Sequence, residues 1–210
     1  MSQLDFLDRY YRKVAWLYDL TRAYYLLGRD EALKEIASHA AQGDRIVEVG
    51  AGTGRNLIYL RRFLGSKDAE LFAIEPCAPM QRQLLRKTEA LGASVQLIPK
   101  MGEQWSQSDL GGPADIIFFS YSLSMFSDPA GAIAHARKQL RPGGLIYIID
   151  FGKLERVPEP CRKGFRWWLR TFHVDPWRLW KDIMPLFQAS ELRSSRGDYF
   201  RRAILQKSYF

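Results

Sequence analysis

Three glycines alternate with other residues in VEVGAGTGRNL, residues 47–57: Gly50, Gly52 and Gly54. Glycine tolerates tight backbone turns and lets a ligand approach the main chain closely. The run falls where a short apolar strand, RIVEVG (45–50), gives way to an amphipathic helix, RNLIYLRRFLG. A nucleotide-like ligand lies at such a turn, beyond the carboxyl ends of the strands. Glu75 closes the next strand, ELFAIEP (70–76), where a carboxylate can accept both hydroxyls of a ribose. The spacing is Gly-x-Gly-x-Gly, not the Gly-x-Gly-x-x-Gly of dinucleotide sites, and no Gly-Lys-Ser/Thr follows. These residues together favour an adenosyl ligand without a pyrophosphate. A tight strand–helix turn with no ligand is the plain alternative.

A second concentration of chemistry lies in FRWWLRTFHVDPWRLWKD, residues 165–182, which holds four of the six tryptophans, interleaved with Arg166, Arg170, Arg178 and Lys181. A helix cannot place four tryptophans on one face, so a mixture of core and surface positions is expected. Pro176 is expected to break the stretch into two short helices with His173 just before the break. His173 is a candidate proton acceptor or carboxylate partner. Arg29, in LLGRD, either meets a carboxylate of cofactor or substrate or is an exposed arginine at a helix start.

The elements that must position these groups follow from periodicity. Residues 1–42 lack strong strand signals and carry apolar residues at helical spacing, as one helix or two. Strands are expected at 45–50, 70–76, 94–100, 114–122 and 145–151, with helices at 55–65, 79–92 and 129–144, the last stopped by Pro-Gly-Gly. Strand–helix alternation means a doubly wound, mostly parallel sheet. ELRSSRGDYFRRAILQK reads as an antiparallel hairpin around Arg196-Gly197-Asp198, and 152–186 as an insertion before it. The organisation expected is a helical segment, 1–42, over the site, and a nucleotide-binding domain, 43–210.

Composition bounds the rest. The 210 residues, 47% hydrophobic and 26% charged, suit one globular domain. No apolar run approaches the ~20 residues that span a bilayer, and the first residues lack an apolar signal core, which favours a cytoplasmic location. Cys77 and Cys161 form no metal pattern and no disulfide framework. The net charge of +8 attracts nucleic acid, anionic membrane or acidic ligands, or only solubilises the chain.

VEVGAGTG, AIEP, ADIIFFSYS and LRPGGLIYIIDF, in that order, resemble the successive motifs of class I S-adenosylmethionine-dependent methyltransferases. The resemblance implies a seven-stranded Rossmann-like sheet whose last hairpin adds an antiparallel strand. It also implies S-adenosylmethionine as cofactor, with no metal. Gly50, Gly52 and Thr53 would line the cofactor, Glu75 would hold the ribose, Met101 and Gly102 would flank the adenine, and Ser120 would lie beside the sulfonium. Asn56 and Glu48 would either contact the cofactor or simply cap the helix or anchor the loop. SYSLSMF after the fourth strand departs from the Asn/Asp-Pro-Pro-Tyr of enzymes that methylate amide or base nitrogens, which argues against a nucleic-acid substrate.

WLYDLTRAYYLLGRDEAL (16–33), GTGRNL and FHVDP are similar to the bacterial betaine-lipid enzymes that methylate diacylglyceryl-homoserine. Phosphatidylethanolamine N-methyltransferases are close relatives of these, and quinone-ring methyltransferases share a looser Tyr-Asp start. The resemblance implies Tyr18 as the first contact near the methyl group, with Tyr25, Tyr121 and Arg29 around the acceptor. It further implies a peripheral enzyme at the inner membrane, beside the enzyme that makes the lipid precursor. Two stretches, 4–18 and 161–182, have the aromatic and basic content of membrane-surface helices.

Overall fold

The computed structural model describes residues 26–155, 157–170, 174–188 and 191–208. Seven strands form one sheet: β1 (Arg45–Val49), β2 (Glu70–Ile74), β3 (Gln96–Ile98), β4 (Ala114–Ser120), β5 (Leu140–Phe151), β6 (Leu192–Ser194) and β7 (Phe200–Gln206). Their order is β3-β2-β1-β4-β5-β7-β6. The first five run parallel, and β7 is antiparallel to both β5 and β6. The chain reverses direction across the sheet between β1 and β4, and that switch point is where open α/β sheets bind ligands.

Seven helices are described: α1 (Arg29–His39), α2 (Arg55–Leu64), α3 (Ala78–Ala90), α4 (Gln107–Leu110), α5 (Pro129–Gln139), α6 (Glu159–Arg170) and α7 (Pro176–Ile183). Alternate strand residues feed two cores. Val47, Phe72, Ile117 and Ile148 pack toward α5 and α7, whereas Ile46, Leu71, Phe118 and Tyr147 pack toward α1, α2 and α3. Strands buried on both faces read as continuous apolar runs, which is why ADIIFFS was legible as β4.

Two expectations need correction. Pro142-Gly143-Gly144 does not separate helix from strand: α5 stops at Gln139, and β5 already begins at Leu140. Leu140 pairs with Ala114, and the register then slips so that Leu145 meets Ile116. The irregular stretch is held from the β7 side, where Gly143 N–H donates to the Lys207 carbonyl (3.0 Å) and Lys207 N–H to that of Gly144 (2.9 Å). Positive φ at Gly143 (76°) is what lets the chain bulge there. The second correction is α4, which was not anticipated. Ser106 and Asp109 form a reciprocal capping box around it.

The insertion does form two helices, but Pro176 opens the second rather than merely ending the first. Asp175 caps α7 by accepting from the Arg178 amide (3.1 Å), and proline suits the first helical position because its missing N–H would have no partner there. Trp180 of α7 is fully buried and donates its indole N–H to the Phe151 carbonyl (2.6 Å). Arg201 of β7 stacks on its ring (5.8 Å) and pairs with Asp198 (2.6 Å), tying the insertion to the terminal hairpin.

Candidate active site

The glycine loop is bound to the end of β2 on both sides of the Glu75 carboxylate. The Gly52 amide donates to Oε2 (2.8 Å) and the Cys77 amide to Oε1 (2.9 Å). Glu75 is buried at the carboxyl edge of the sheet. A carboxylate accepts through both of its oxygens, which is the chemistry that vicinal ribose hydroxyls need.

Each loop glycine has its own steric reason. Gly50, Gly52 and Gly54 all have positive φ (77°, 56° and 75°). A Cβ on Gly50 would stand 2.6 Å from Ser122 Cβ, and one on Gly54 2.7 Å from Leu84 Cγ. A Cβ on Gly52 would meet nothing of the described protein within 4 Å, so that side of the loop faces open space. Gly50→Ala is therefore expected to lose both fold and cofactor affinity. Its left-handed backbone costs about 1–2 kcal/mol, and the clash with Ser122 adds to that. Gly52→Ala is expected to lose at least about tenfold in affinity with a smaller drop in stability. Thermal unfolding and titration calorimetry on both variants check this, and equal stability losses would refute the distinction.

Beneath the loop lies Glu48, only 1% exposed on β1. Asn56, at the start of α2, donates its side-chain N–H to Glu48 Oε1 (2.6 Å). Between capping the helix and anchoring the loop, the structure shows Asn56 anchoring Glu48. Glu48 Oε2 is buried without a hydrogen-bond partner among the described residues. Burial pushes its carboxyl up to about 8, opposed by the Asn56 hydrogen bond and the Arg29 charge. A buried acid with one unmet oxygen beside an open glycine loop lacks a donor. The methionine end of S-adenosylmethionine carries an ammonium that fits this need, so the residues present suit that cofactor.

Arg29 is brought to this cluster by three anchors on the turn before it. The Tyr121 hydroxyl donates to the Leu27 carbonyl (2.5 Å), Arg29 Nε donates to the Leu26 carbonyl (3.1 Å), and the Phe200 ring closes over Gly28, where a Cβ would collide with it. Burial and the facing Arg55 guanidinium hold the Arg29 pKa below its ordinary value. Two cations near one buried acid favour a carboxylate ligand between them.

The stretch expected to flank the adenine is tightly packed. Gly102 is buried beneath the Phe126 ring, where an added Cβ would stand 2.5 Å from Phe126 Cε1 and 3.1 Å from Val49 Cγ1. Trp105 donates its indole N–H to the Gly102 carbonyl (3.0 Å), and Met101 sits half-buried beside it. Thr53 is buried within the loop.

Beyond β4 the structure adds detail that the motifs did not carry. Ser120 is half-buried and lines a narrow cleft with Arg29, Glu35 and Arg202. The serine that meets the glycine loop is Ser122, whose hydroxyl donates to the Val49 carbonyl (2.7 Å). Between them Tyr121 takes positive φ (54°), which is uncommon for a bulky residue and turns the chain. Its ring packs edge-to-face on Phe151 (4.7 Å), and burial pushes its hydroxyl far above the ordinary tyrosine range. That hydroxyl therefore keeps its proton and acts by holding the Leu27 turn. Tyr18, Tyr25 and His173 lie outside the described residues. Ser122 and Phe126 were missed because their roles depend on contacts across the sheet, although both sit in SYSLSMF, the stretch already notable for departing from the base-methylating motif.

Fold and site together define a class I S-adenosylmethionine-dependent methyltransferase. Residues 18–195 match a family described as a methyltransferase domain. The chain belongs to that family. Curated relatives include the ubiquinone/menaquinone biosynthesis C-methyltransferase UbiE of Klebsiella pneumoniae, 22% identical over 95% of this chain and 74% of that protein. The protein of the same name from Escherichia coli O1:K1 is 24% identical over 83% and 69%. Among solved structures, a SAM-dependent methyltransferase from Aquifex aeolicus matches with a TM-score of 0.65 at 21% identity, covering 93% of this chain and 97% of that one. The plantazolicin methyltransferase BpumL, in complex with SAH, matches with a TM-score of 0.66 at 14% identity over 94% and 90%. Among the described residues no group of three or more His, Cys, Asp or Glu is placed to hold a metal ion.

Proposed function

We propose that this enzyme methylates the amine head group of a membrane lipid, with diacylglyceryl-homoserine as the first candidate acceptor and phosphatidylethanolamine as the second. The observation that carries this reading is the aromatic wall at the carboxyl ends of β4 and β5. Tyr121, Phe151, Phe165, Trp168 and Tyr199 pack ring to ring there, with centroids 4.7 to 6.1 Å apart. Tyr121 and Phe151 are buried and back the wall, whereas Phe165, Trp168 and Tyr199 are half-buried, and aromatic faces suit a head group that becomes a quaternary ammonium, each such contact being worth roughly 0.5–2 kcal/mol.

When bound, S-adenosylmethionine supplies an electrophilic methyl group on a sulfonium. Methyl transfer from it is an in-line displacement that depends on alignment and on a free lone pair. A new N–C bond forms as the S–C bond breaks, and each addition to a primary, secondary or tertiary amine draws on the neutral amine. The chain's part is to desolvate that amine, which lowers its pKa, and to hold it in line. In this reading Arg29 and Arg55, whose charges act on each other, orient a carboxylate, on the cofactor or on a homoserine head group. The reading puts the enzyme at the cytoplasmic surface of the inner membrane, next to the enzyme that makes the lipid precursor.

A quinone-ring acceptor is the second reading, favoured by the names of the curated relatives. Incubation with labelled S-adenosylmethionine and total bacterial lipid, followed by chromatography, separates the two. Label is expected in an amine-headed lipid. Label confined to the quinone fraction would establish the second reading instead, and no labelled lipid at all would overturn both.

A further inference from the structure

Helix α6 has one face committed to the fold and one that is not. Leu169 is buried, and Phe165 and Trp168 pack with Phe151, Tyr121 and Tyr199 beside the carboxyl ends of the central strands. The opposite stripe carries Lys163, Trp167 and Arg170, four and three residues apart, which a helix places on one face. All three are exposed, and Trp167 is 71% exposed, the highest value among the exposed large apolar side chains described. The neighbouring tryptophans behave otherwise. Trp180 is fully buried, Trp168 is partly buried in the aromatic wall, and Trp177 is partly buried under the Arg166 guanidinium (4.8 Å). Core packing thus accounts for three of the four and leaves Trp167 unexplained.

We propose that α6 lies flat on an anionic lipid bilayer, with Trp167 inserted at the headgroup level and Lys163 and Arg170 against the lipid phosphates. An indole flanked by cations one turn away on an exposed helical face matches an interface that is apolar beneath and negative above. Arg162 and Arg166 on the flanks, and Arg178 and Lys181 on α7, extend the positive field, with Glu159 (paired to Lys163 at 2.9 Å) and Asp182 as the acids on these helices. A nucleic-acid partner fits less well, since the exposed stripe has two cations and an indole at its centre rather than a phosphate-tracking array. Because α6 packs on the aromatic wall, docking by this face would bring the site to the membrane surface. This inference deepens the lipid-acceptor reading, and its test needs neither cofactor nor turnover.

The test is co-sedimentation with vesicles of phosphatidylcholine and phosphatidylglycerol, read alongside tryptophan emission. The full-length protein is expected to bind anionic vesicles with a blue-shifted emission, and to bind pure phosphatidylcholine at least about tenfold more weakly. Trp167→Ala is expected to weaken anionic-vesicle binding at least about tenfold and to remove most of the blue shift. Lys163→Glu with Arg170→Glu is expected to weaken it further and to flatten its salt dependence. Both variants should keep wild-type affinity for S-adenosylmethionine by calorimetry, which certifies the fold. Wild-type protein left in the supernatant would overturn the proposal, as would Trp167→Ala binding as tightly as wild type. Loss of polyuridylate binding in these variants with vesicle binding intact would also overturn it. Methylation of lipid in detergent micelles by a protein that ignores vesicles would sink the docking face alone. Vesicle binding with methyl transfer only to a soluble acceptor would sink the acceptor reading alone.

Discussion

Glu75→Ala should lower the affinity for S-adenosylmethionine by at least about a hundredfold, measured by calorimetry. The carboxylate receives the Gly52 and Cys77 amides, so its removal strands two donors. Leaving a buried donor unsatisfied costs about 1–3 kcal/mol, and hydrogen bonds from ribose hydroxyls to a charged acceptor contribute about 1.5–3 kcal/mol. The stranded amides weaken the fold with or without cofactor, whereas two ribose hydrogen bonds at the low end give about 3 kcal/mol, which exceeds the ~2.7 kcal/mol that a hundredfold requires. Glu75→Gln keeps the side chain's size and one acceptor oxygen but turns a donor toward one of the two amides. A loss of about tenfold is expected there. If Glu75→Ala bound the cofactor as wild type does, Glu75 would have no part in holding the ribose.

Glu48→Gln should stabilise the cofactor-free protein progressively as pH rises. In the folded chain burial lifts the Glu48 carboxyl from 4.5 to about 8. Between those values the folded state binds more protons than the unfolded state, so stability falls as pH increases, and the loss is complete above about pH 8. A displacement of this size corresponds to a penalty on the order of 5 kcal/mol for a fully buried group. Glutamine removes the titration while keeping the shape, at a pH-independent cost for its own unmatched N–H. Denaturant unfolding should therefore show the variant gaining roughly 2–4 kcal/mol relative to wild type between pH 5 and pH 8.5. The same acid should lose its proton when an ammonium arrives beside it. Calorimetry near pH 7 in buffers of different ionisation enthalpy should then show proton release on cofactor binding to wild type and none for Glu48→Gln. Parallel stability profiles for the two proteins would refute the buried-acid account.

The two predictions differ in how far the sequence alone could carry them. The position of Glu75 was legible because it is set locally: it follows the end of β2, one helix and one strand after the glycine loop. Glu48 was visible only as a residue with two readings. Its partner, Asn56, lies eight residues on, yet their contact depends on α2 folding back over β1. The same limit applies to Phe126 over Gly102 and Ser122 against Gly50, which join loops from different strands. Arg29 was read as ligand contact or exposed helix start. It is the first residue of α1, yet half-buried, because Tyr121 and Phe200, 92 and 171 positions away, pin the preceding turn. Pro142-Gly143-Gly144 misled in the opposite direction. Local turn chemistry said stop, and the β7 end supplied partners that kept the backbone in the sheet.

Sequence by itself determined the alternation of strands and helices, the parallel sheet with its terminal hairpin and the cofactor class, and it singled out Glu75 as the candidate for the ribose. Those depend on periodicity and on short-range spacing, which survive without knowledge of long-range contacts. Only the tertiary structure decided which acid is buried and short of a partner, which serine meets the loop, and which tryptophan of residues 165–182 faces outward. Burial is set by what packs from elsewhere in the chain. Trp180 and Trp167 are the same side chain thirteen residues apart, and the sheet beneath one and the solvent over the other give them opposite roles.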